Sequence, residues 1–503
     1  MSGDFWSAAK SRGIRTRIVV EGDLVLQTPA CLSNGDTDDV MDMPLLVDPY
    51  DGITPLLTGT SLAGALRAYL AARELGYNGL QLRNSATVAL FGGTRTDDEG
   101  EQSALVVEDS LGRTPSVESR TGVRISPKSR TAEDKALYNL ELWSAGTLFP
   151  VHLELVITDI NDDTQLRQAL ATALEGLSSG EITLGMRKHR GLGCVKVSSW
   201  RVREYNISNC NDLLAWLCAG AKELPRDIDP RLQNDPVRRG SNLAQLLNTS
   251  LLVDIRQYLH IEADFDLDGS LVVGGSGAND EAPDKAHTLS RRSGRSVPVL
   301  PGTSLAGALR ARARRIAHLL AGNSMNKQAQ AQQLIEDLFG SEKIQSREPP
   351  KASRLRVTEH AITEGRSDLV HYRVRIDRFT GGSYPSALFN VQPVYGVSDT
   401  RVKVELLLRN PELHEVGLLL LLLKDLWTGD LPVGGELGVG RGRLRGRNAQ
   451  LRLTGPGGGE WALNAGDNGN LVFTHGNHRE ELENYVGRLA SWLEHHPGEN
   501  ENG

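Results

Sequence analysis

GTSLAGALRA occupies residues 59–68 and returns letter for letter at residues 302–311, the two copies starting 243 residues apart. A ten-residue identity at that separation points to a duplicated domain rather than one large fold. Each copy also carries a local signal. Thr60/Ser61 and Thr303/Ser304 read as N-cap residues. After them Leu62, Leu66 and Leu70 in the first copy, and Leu305, Leu309, Ile316 and Leu320 in the second, fall on one helical face. Each copy therefore predicts a loop entering an amphipathic helix whose free N–H groups suit a phosphate.

Further landmarks recur in the same order. Leu90-Phe91-Gly92 matches Leu338-Phe339-Gly340, and DKALY (134–138) stands where the second copy has SALF (386–389), after basic segments with Arg124-Ile125 and Arg375-Ile376. LEGLSSGEITLG (174–185) parallels LKDLWTGDLPVG (423–434), and RGLGCVKV (190–197) parallels LGVGRGRL (437–444). Offsets of 243 to 251 describe two collinear domains. They are expected at residues 1–220 and 250–455, with a linker at 221–249 broken by Pro225, Pro230 and Pro236, and a C-terminal extension at 456–503 whose polar end is frayed.

Composition sets outer limits. A hydrophobic content of 39% in 503 residues supports two substantial cores. The cysteines Cys31, Cys194, Cys210 and Cys218 show no CxxC spacing, which indicates neither a zinc site nor a disulfide framework and fits a reducing cytoplasm. The chain starts without the apolar core of a signal peptide, and its longest apolar run, Val416–Leu423, is far below the ~20 residues a membrane span needs, so no membrane partner is expected. Its place in the repeat makes that run a buried helix.

The net charge of −7 argues mildly against nucleic acid, but the distribution argues back. Basic residues cluster at Arg187-Lys188-His189-Arg190, at Arg291-Arg292 with Arg295, at Arg373, Arg375 and Arg378, and at Arg441, Arg443, Arg445 and Arg447. The last four alternate, as residues sharing one strand face do. Two of these clusters adjoin glycine turns, Gly191-Leu192-Gly193 and Gly438-Val439-Gly440, where the missing Cβ permits close backbone approach.

Period-two alternation marks a first strand in each unit, at Arg17–Gln27 and at Leu259, Ile261, Ala263, Phe265 and Leu267. The repeated helix, further strands, a second helix (165–177; 412–427) and a last strand follow, which is the ferredoxin-like order. The Gly-Thr-Ser-Leu-x-Gly-x-Leu-Arg helix start, the Leu-Phe-Gly element, the segment Ile376-Asp377-Arg378-x-Thr380-Gly381 and the terminal G-x-G loop together resemble the RAMP superfamily of CRISPR-associated proteins. More narrowly they resemble backbone subunits of type III effector complexes, the Cas-seven group, with two copies fused as in some type III-D systems. The resemblance implies an α+β chain of two tandem ferredoxin-like (RRM-like) RAMP domains with thumb-like insertions, here near 110–139 and 360–386. It implies CRISPR guide RNA, complementary target RNA and other type III effector subunits as partners. Copy one departs from the pattern at Ser126-Pro127-Lys128, where copy two has the acidic Asp377.

A guide strand is gripped mostly through its phosphates, by hydroxyls, backbone N–H groups and cations. The candidates are Thr60, Ser61, Arg67, Lys188, Arg190, Gly191 and Gly193 in copy one, and Thr303, Ser304, Arg310, Arg375, Arg378, Gly438, Gly440, Arg441 and Arg443 in copy two. Upstream of each repeated helix lies an acidic loop. Matching backwards from Gly59 and Gly302 selects Asp42 and Asp284, 17 and 18 residues earlier, as equivalents of the family's target-cleaving aspartate, with Asp38 and Asp39 as alternatives in copy one. The resemblance implies that a thumb displaces a target nucleotide, so that the RNA's own 2′-hydroxyl comes into line with its phosphorus and leaving oxygen. Asp42 and Asp284 then orient that hydroxyl or hold a divalent cation, Mg2+ being the expected one. His287, three residues from Asp284, is a further candidate.

Three rival readings stand beside this one: a non-catalytic guide/target RNA scaffold, a metal-independent guide-processing RAMP endonuclease, and a metabolic enzyme of duplicated ferredoxin-like domains. The absence of histidine before His152 weighs against the second, and no motif suggests the pocket the third needs.

Overall fold

Alternating apolar residues build the central strand of each half. In β1 (Ile14–Leu26) they bury Ile18, Val20, Leu24 and Leu26, and in the equivalent strand of the second half Leu259, Ile261, Ala263, Phe265 and Leu267. The computed structural model describes residues 13–33, 44–79, 84–93, 102–126, 129, 131–219, 237–274, 283–292, 294–341, 350–466, 471–473 and 479–494. After β1 the first domain continues with α1 (Gly59–Leu75), α2 (Ala86–Phe91), β2 (Leu105–Val107), β3 (Val117–Ile125), β4 (Ala132–Trp143), β5 (Leu148–Thr158), α3 (Asp163–Ser178), β6 (Val195–Asn206) and β7 (Arg238–Gly240). Its antiparallel sheet runs β2-β5-β1-β6-β7. The first four positions of that order are the ferredoxin-like arrangement.

The second domain repeats it with β8 (Tyr258–Asp268), β9 (Lys285–Ala286), α4 (Gly302–Ala321), α5 (Met325–Phe339), β10 (Leu355–Val357), β11 (His360–Thr363), β12 (His371–Ile376), β13 (Ser383–Gln392), β14 (Arg401–Arg409), α6 (Leu413–Trp427), β15 (Arg443–Leu453), β16 (Gly459–Ala465), β17 (Leu471–Phe473) and α7 (Arg479–Glu494). Here β11 and β10 both pair with β14, and the sheet continues through β8, β15, β16 and β17. Each domain carries an antiparallel hairpin that overlaps the expected insertion, β3–β4 and β12–β13.

Several local expectations are corrected. The N-caps are Thr58, whose hydroxyl accepts the N–H of Ser61, and Pro301, so Thr60, Ser61, Thr303 and Ser304 lie inside the first helical turn. In α4 the buried stripe after Leu309 is Ala313, Ala317 and Ala321, because steps of four carry it there. Leu320 falls one residue off that stripe and is 43% exposed. Residues after 455 extend the second core: β16 and β17 widen its sheet, and Leu482, Tyr485, Leu489 and Leu493 of α7 join its buried cluster. Residues 495–503 lie outside the described residues. Likewise β7 and a one-turn helix at Leu243–Leu246 close the first domain, with Leu243, Leu246 and Leu247 in its core. The first unit therefore runs past the expected linker boundary.

The two domains meet through backbone in contact with backbone. A Cβ on Gly191 would lie 2.3 Å from the Glu359 nitrogen, and one on Gly302 2.3 Å from the Arg190 carbonyl and 2.4 Å from that of Val357. Beside this contact Glu359, its side chain 1% exposed, accepts from Arg120 of β3 at 3.1 and 3.2 Å and from Arg292 at 2.7 Å. Arg120 also reaches Glu118 at 3.1 Å, and Glu118 accepts the Arg291 N–H at 2.8 Å. The network alternates in sign, so each buried charge faces an opposite one. Glu359→Gln would leave Arg120 and Arg292 facing each other and should cost about 3 kcal/mol. In denaturant titrations the two domains should then unfold in separate transitions; an unchanged single transition would contradict a joint held by this carboxylate.

His189 packs at the same joint. Burial, together with the charges of Arg409, Lys188, Arg356 and Arg190, lowers its pKa from 6.5 to about 4. The folded chain thus binds fewer protons than the unfolded chain between those values, and stability should fall as pH drops through that window. His189→Gln should flatten the pH dependence of the thermal midpoint by up to one proton. An unchanged slope would place the titration elsewhere.

Candidate RNA-binding surface and the loop aspartate

The tip of the second hairpin is built by Asp377. Its Oδ1 accepts the N–H groups of Phe379 at 2.7 Å and Thr380 at 3.0 Å, and Gly381 adopts φ +70°. Those backbone donors, Thr380 first, hold the carboxyl below its ordinary range. The Ile-Asp-Arg-x-Thr-Gly segment is therefore a turn, closed by the Asp377 N–H to the Gly382 carbonyl at 2.8 Å. Copy one makes the same closure from Ser126 to Thr131 at 2.9 Å, with the Ser126 hydroxyl accepting the N–H of Ser129 at 3.3 Å. A serine thus replaces the aspartate without changing the role.

This turn lifts Phe379, 92% exposed, and Arg378 to the tip. Behind them the exposed Arg375 guanidinium lies 4.8 Å from the Tyr384 ring centre, and Tyr372 is 67% exposed. Exposed aromatics interleaved with arginine can stack bases and neutralise phosphates. The aromatic members escape a reading confined to charge, although Tyr372, Phe379 and Tyr384 stand among the arginines in the sequence.

Asp284 sits at the foot of the same hairpin. Its N–H donates to Asn390 Oδ1 at 2.6 Å and its Oδ2 accepts the Asn390 N–H at 2.8 Å, so strand β13 fixes an exposed carboxylate. The correspondence with copy one is set four residues later. Thr288 donates its N–H to the Val273 carbonyl at 2.6 Å and Leu46 does the same to Leu32 at 2.7 Å, and counting back four from each gives Asp284 and Asp42. Asp42, Asp38 and Asp39 lie outside the described residues.

His287 is buried, its Nδ1 facing the Val273 N–H at 3.2 Å and its Nε2 the Val299 carbonyl at 2.9 Å. That pattern calls for the Nε2–H tautomer, and burial lowers its pKa to about 4. Both nitrogens are spent on backbone, so His287 has none left for RNA. As a cation ligand Asp284 offers one carboxylate, partly engaged. A single carboxylate of this kind suits a hydrated cation rather than an all-protein cage.

The glycine turns correspond in a different register from the expected one. In copy one Arg187 (φ +54°) precedes the short helix Lys188–Arg190, and Gly191 (φ +85°) ends it; in copy two these roles belong to Glu436 (φ +56°), Leu437–Val439 and Gly440 (φ +85°). A Cβ on Gly193 would lie 1.8 Å from the Leu184 carbonyl, and one on Gly442 1.9 Å from that of Val433. Gly191 and Gly193 therefore match Gly440 and Gly442, while Gly438 lies within the helical turn.

The arginines divide sharply. Arg441 is 4% exposed, donating to Glu436 at 2.9 Å and to Ser270 at 2.6 Å, so it does not share an exposed row with its neighbours. Arg445 and Arg447 pair with Asp268 at 3.3 Å and Asp266 at 3.5 Å. Arg443 is exposed and has no acidic partner among the described residues. Arg190 donates to the Phe339 carbonyl at 3.1 Å; burial, with Arg310 and Arg187 nearby, lowers its pKa to about 10. Arg67 donates to the carbonyl of Gly93 at 3.5 Å, just past the first Leu-Phe-Gly element, and Arg310 to that of Gly340 at 2.9 Å, the last residue of the second.

Thr60, Ser61 and Lys188 are exposed, and Ser304 is half-buried. The Gly59 N–H is already taken by Asp109 at 2.7 Å, which fills part of the anticipated phosphate site. Thr303 lines a narrow interdomain cleft with Arg120, Tyr138, Arg187, Arg190 and Glu359.

The RAMP superfamily model matches residues 34–196 and 264–445, one region in each domain. The chain belongs to the RAMP superfamily. That membership makes it a CRISPR-associated RNA-binding protein, built as two RAMP units in tandem. No curated protein matches the chain. Among the described residues no helix is long and apolar enough to cross a membrane.

Arg378→Ala and Arg443→Ala should each weaken RNA binding alike for all sequences and lower its salt slope by about one. Arg441→Ala should instead lower the thermal midpoint, since it strips a buried pair. Anisotropy titrations at several salt concentrations check this, and sequence-selective losses would contradict it.

Proposed function

We propose that this chain is a backbone subunit of a type III CRISPR effector ribonucleoprotein that binds guide RNA and cuts the paired target RNA at two sites. The observation that carries the reading is the Asp284–Asn390 pair. It fixes an exposed carboxylate at the foot of an exposed hairpin whose tip presents Arg378 and Phe379. An aromatic side chain at such a tip can wedge into a duplex and unstack a step. The target strand beside Asp284 is then free of A-form geometry, which otherwise keeps the 2′-hydroxyl out of line.

In the proposed reaction the target 2′-oxygen attacks the adjacent phosphorus and the bond from phosphorus to the 5′-oxygen breaks. The products carry a 2′,3′-cyclic phosphate and a 5′-hydroxyl. The 2′-hydroxyl proton leaves towards the aspartate or solvent, and the departing oxygen takes one from water. A bound Mg2+ supplies stabilisation of charge on the phosphate. Asp284 orients the hydroxyl, with Asp42 in the equivalent role. Guide contacts fall to Thr60, Ser61, Thr303, Lys188, Arg375, Arg378 and Arg443, while Arg190, Arg310 and Arg441 shape the surface from beneath. Other effector subunits complete the assembly.

In an assembled complex Asp284→Ala should remove one cut and Asp42→Ala another, with target affinity nearly unchanged. A target carrying 2′-deoxyribose at a cut should resist cleavage there. If both alanine variants keep the full pattern, the chain is a scaffold.

A further inference from the structure

The outer face of the second sheet holds a cluster that RNA binding does not use. In β8 and β14 the odd and even positions alternate between core and surface, which puts His260, Glu262 and Glu405 together on the surface side. Glu262 and Glu405 stand directly opposite each other across the two strands. Like charges in that register repel, so the pair calls for positive charge nearby. His260 Nε2 lies 3.2 Å from Glu405 Oε1, and His360 Nε2, from β11, lies 2.9 Å from Glu405 Oε2. One ligand atom each from His260, Glu262 and Glu405 falls within 4.8 Å of the others.

We propose that His260, His360, Glu405 and Glu262 bind one Zn2+, a site that the cysteine spacing gave no reason to expect. Two imidazoles and two carboxylates are a donor set zinc accepts, and bonds of about 2.0–2.2 Å place tetrahedral ligand atoms about 3.3 Å apart. The two imidazole–Glu405 separations of 3.2 and 2.9 Å are close to this, and Glu262, with ligand atoms within 4.8 Å of those of His260 and Glu405, closes on the ion by side-chain rotation. The ligands come from three adjacent strands, which hold them more firmly than a loop does. Without the ion, Lys403 Nζ sits 3.3 Å from Glu262 Oε1 and neutralises that carboxylate. Zinc displaces the lysine, and its two positive charges balance the two carboxylates. The ion ties β11 to β8, and β11 begins one residue after Glu359, so zinc also stiffens the strand that anchors the interdomain joint.

The test uses the full chain, stripped with a chelator and titrated with Zn2+, with Co2+ as an optical probe. One equivalent should bind, raise the thermal midpoint and, as Co2+, give the intense visible bands of tetrahedral coordination. His260→Gln and Glu405→Gln should weaken binding by more than about tenfold. Lys403→Ala, which leaves all ligands in place, should tighten it. Asp284→Ala should leave zinc stoichiometry untouched, which separates this site from the cation proposed at the aspartate loop. A wild-type chain that takes up no zinc at one equivalent, or His260→Gln and Glu405→Gln variants that bind it as tightly as wild type, would overturn the proposal.

Discussion

Glu359 is a carboxylate held almost entirely out of water between guanidiniums from both halves of the chain. A charge so placed is costly unless it is paired and hydrogen-bonded, and the arrangement of the two domains follows from supplying those partners. Arg120 comes from the inserted hairpin of the first domain and Arg292 from the second, so the joint also fixes the foot of the first hairpin. The backbone contact between the Gly191 turn and Gly302 forms only because neither residue carries a Cβ.

The duplication puts one motif to two uses. The glycine-ended turn of copy one is enclosed against the second domain, and His189 and Arg190 have pKa values lowered by the enclosure. The same turn in copy two leaves Leu437 43% and Val439 62% exposed. Side-chain chemistry follows the same division. Beneath the first turn lies an apolar cluster of Cys31, Leu140, Leu142 and Leu192, whereas at the second the buried Arg441 bonds Glu436 and Ser270.

Charge on this chain is spent locally before it is offered to a partner. Most of the arginine clusters that oppose the net charge of −7 resolve into ion pairs: Arg373 and Arg441 with Glu436, Arg445 with Asp268, Arg447 with Asp266. The exposed remainder lies at Lys188, at Arg291 and Arg295, on the second hairpin and at Arg443. A short list of open cations beside exposed aromatics suits a sequence-indifferent grip on a single strand better than a broad basic face does.

The repeated decapeptide and the alternation in β1 and β8 were enough to declare two ferredoxin-like units, because helical and strand periodicities are local properties of the chain. Asp284 could be singled out from spacing alone, because the acidic loops precede the repeated helix by nearly the same count, 18 residues to Gly302 against 17 from Asp42 to Gly59; the role given to it is a proposal. What the sequence could not declare depended on distance in space. The pairing of Gly191 with Gly440 rather than Gly438 rests on positive φ angles. The burial of Arg441 depends on Ser270, which is 171 residues away. The opposition of Glu262 to Glu405 depends on strand register. Sequence periodicity determined which strand residues face a core, since that is set by the pitch of each strand, whereas in α4 the buried stripe passes to Ala313, Ala317 and Ala321 and leaves Leu320 exposed. Tertiary structure alone decided which charges are spent and which stay open, because that turns on partners brought together from separate elements.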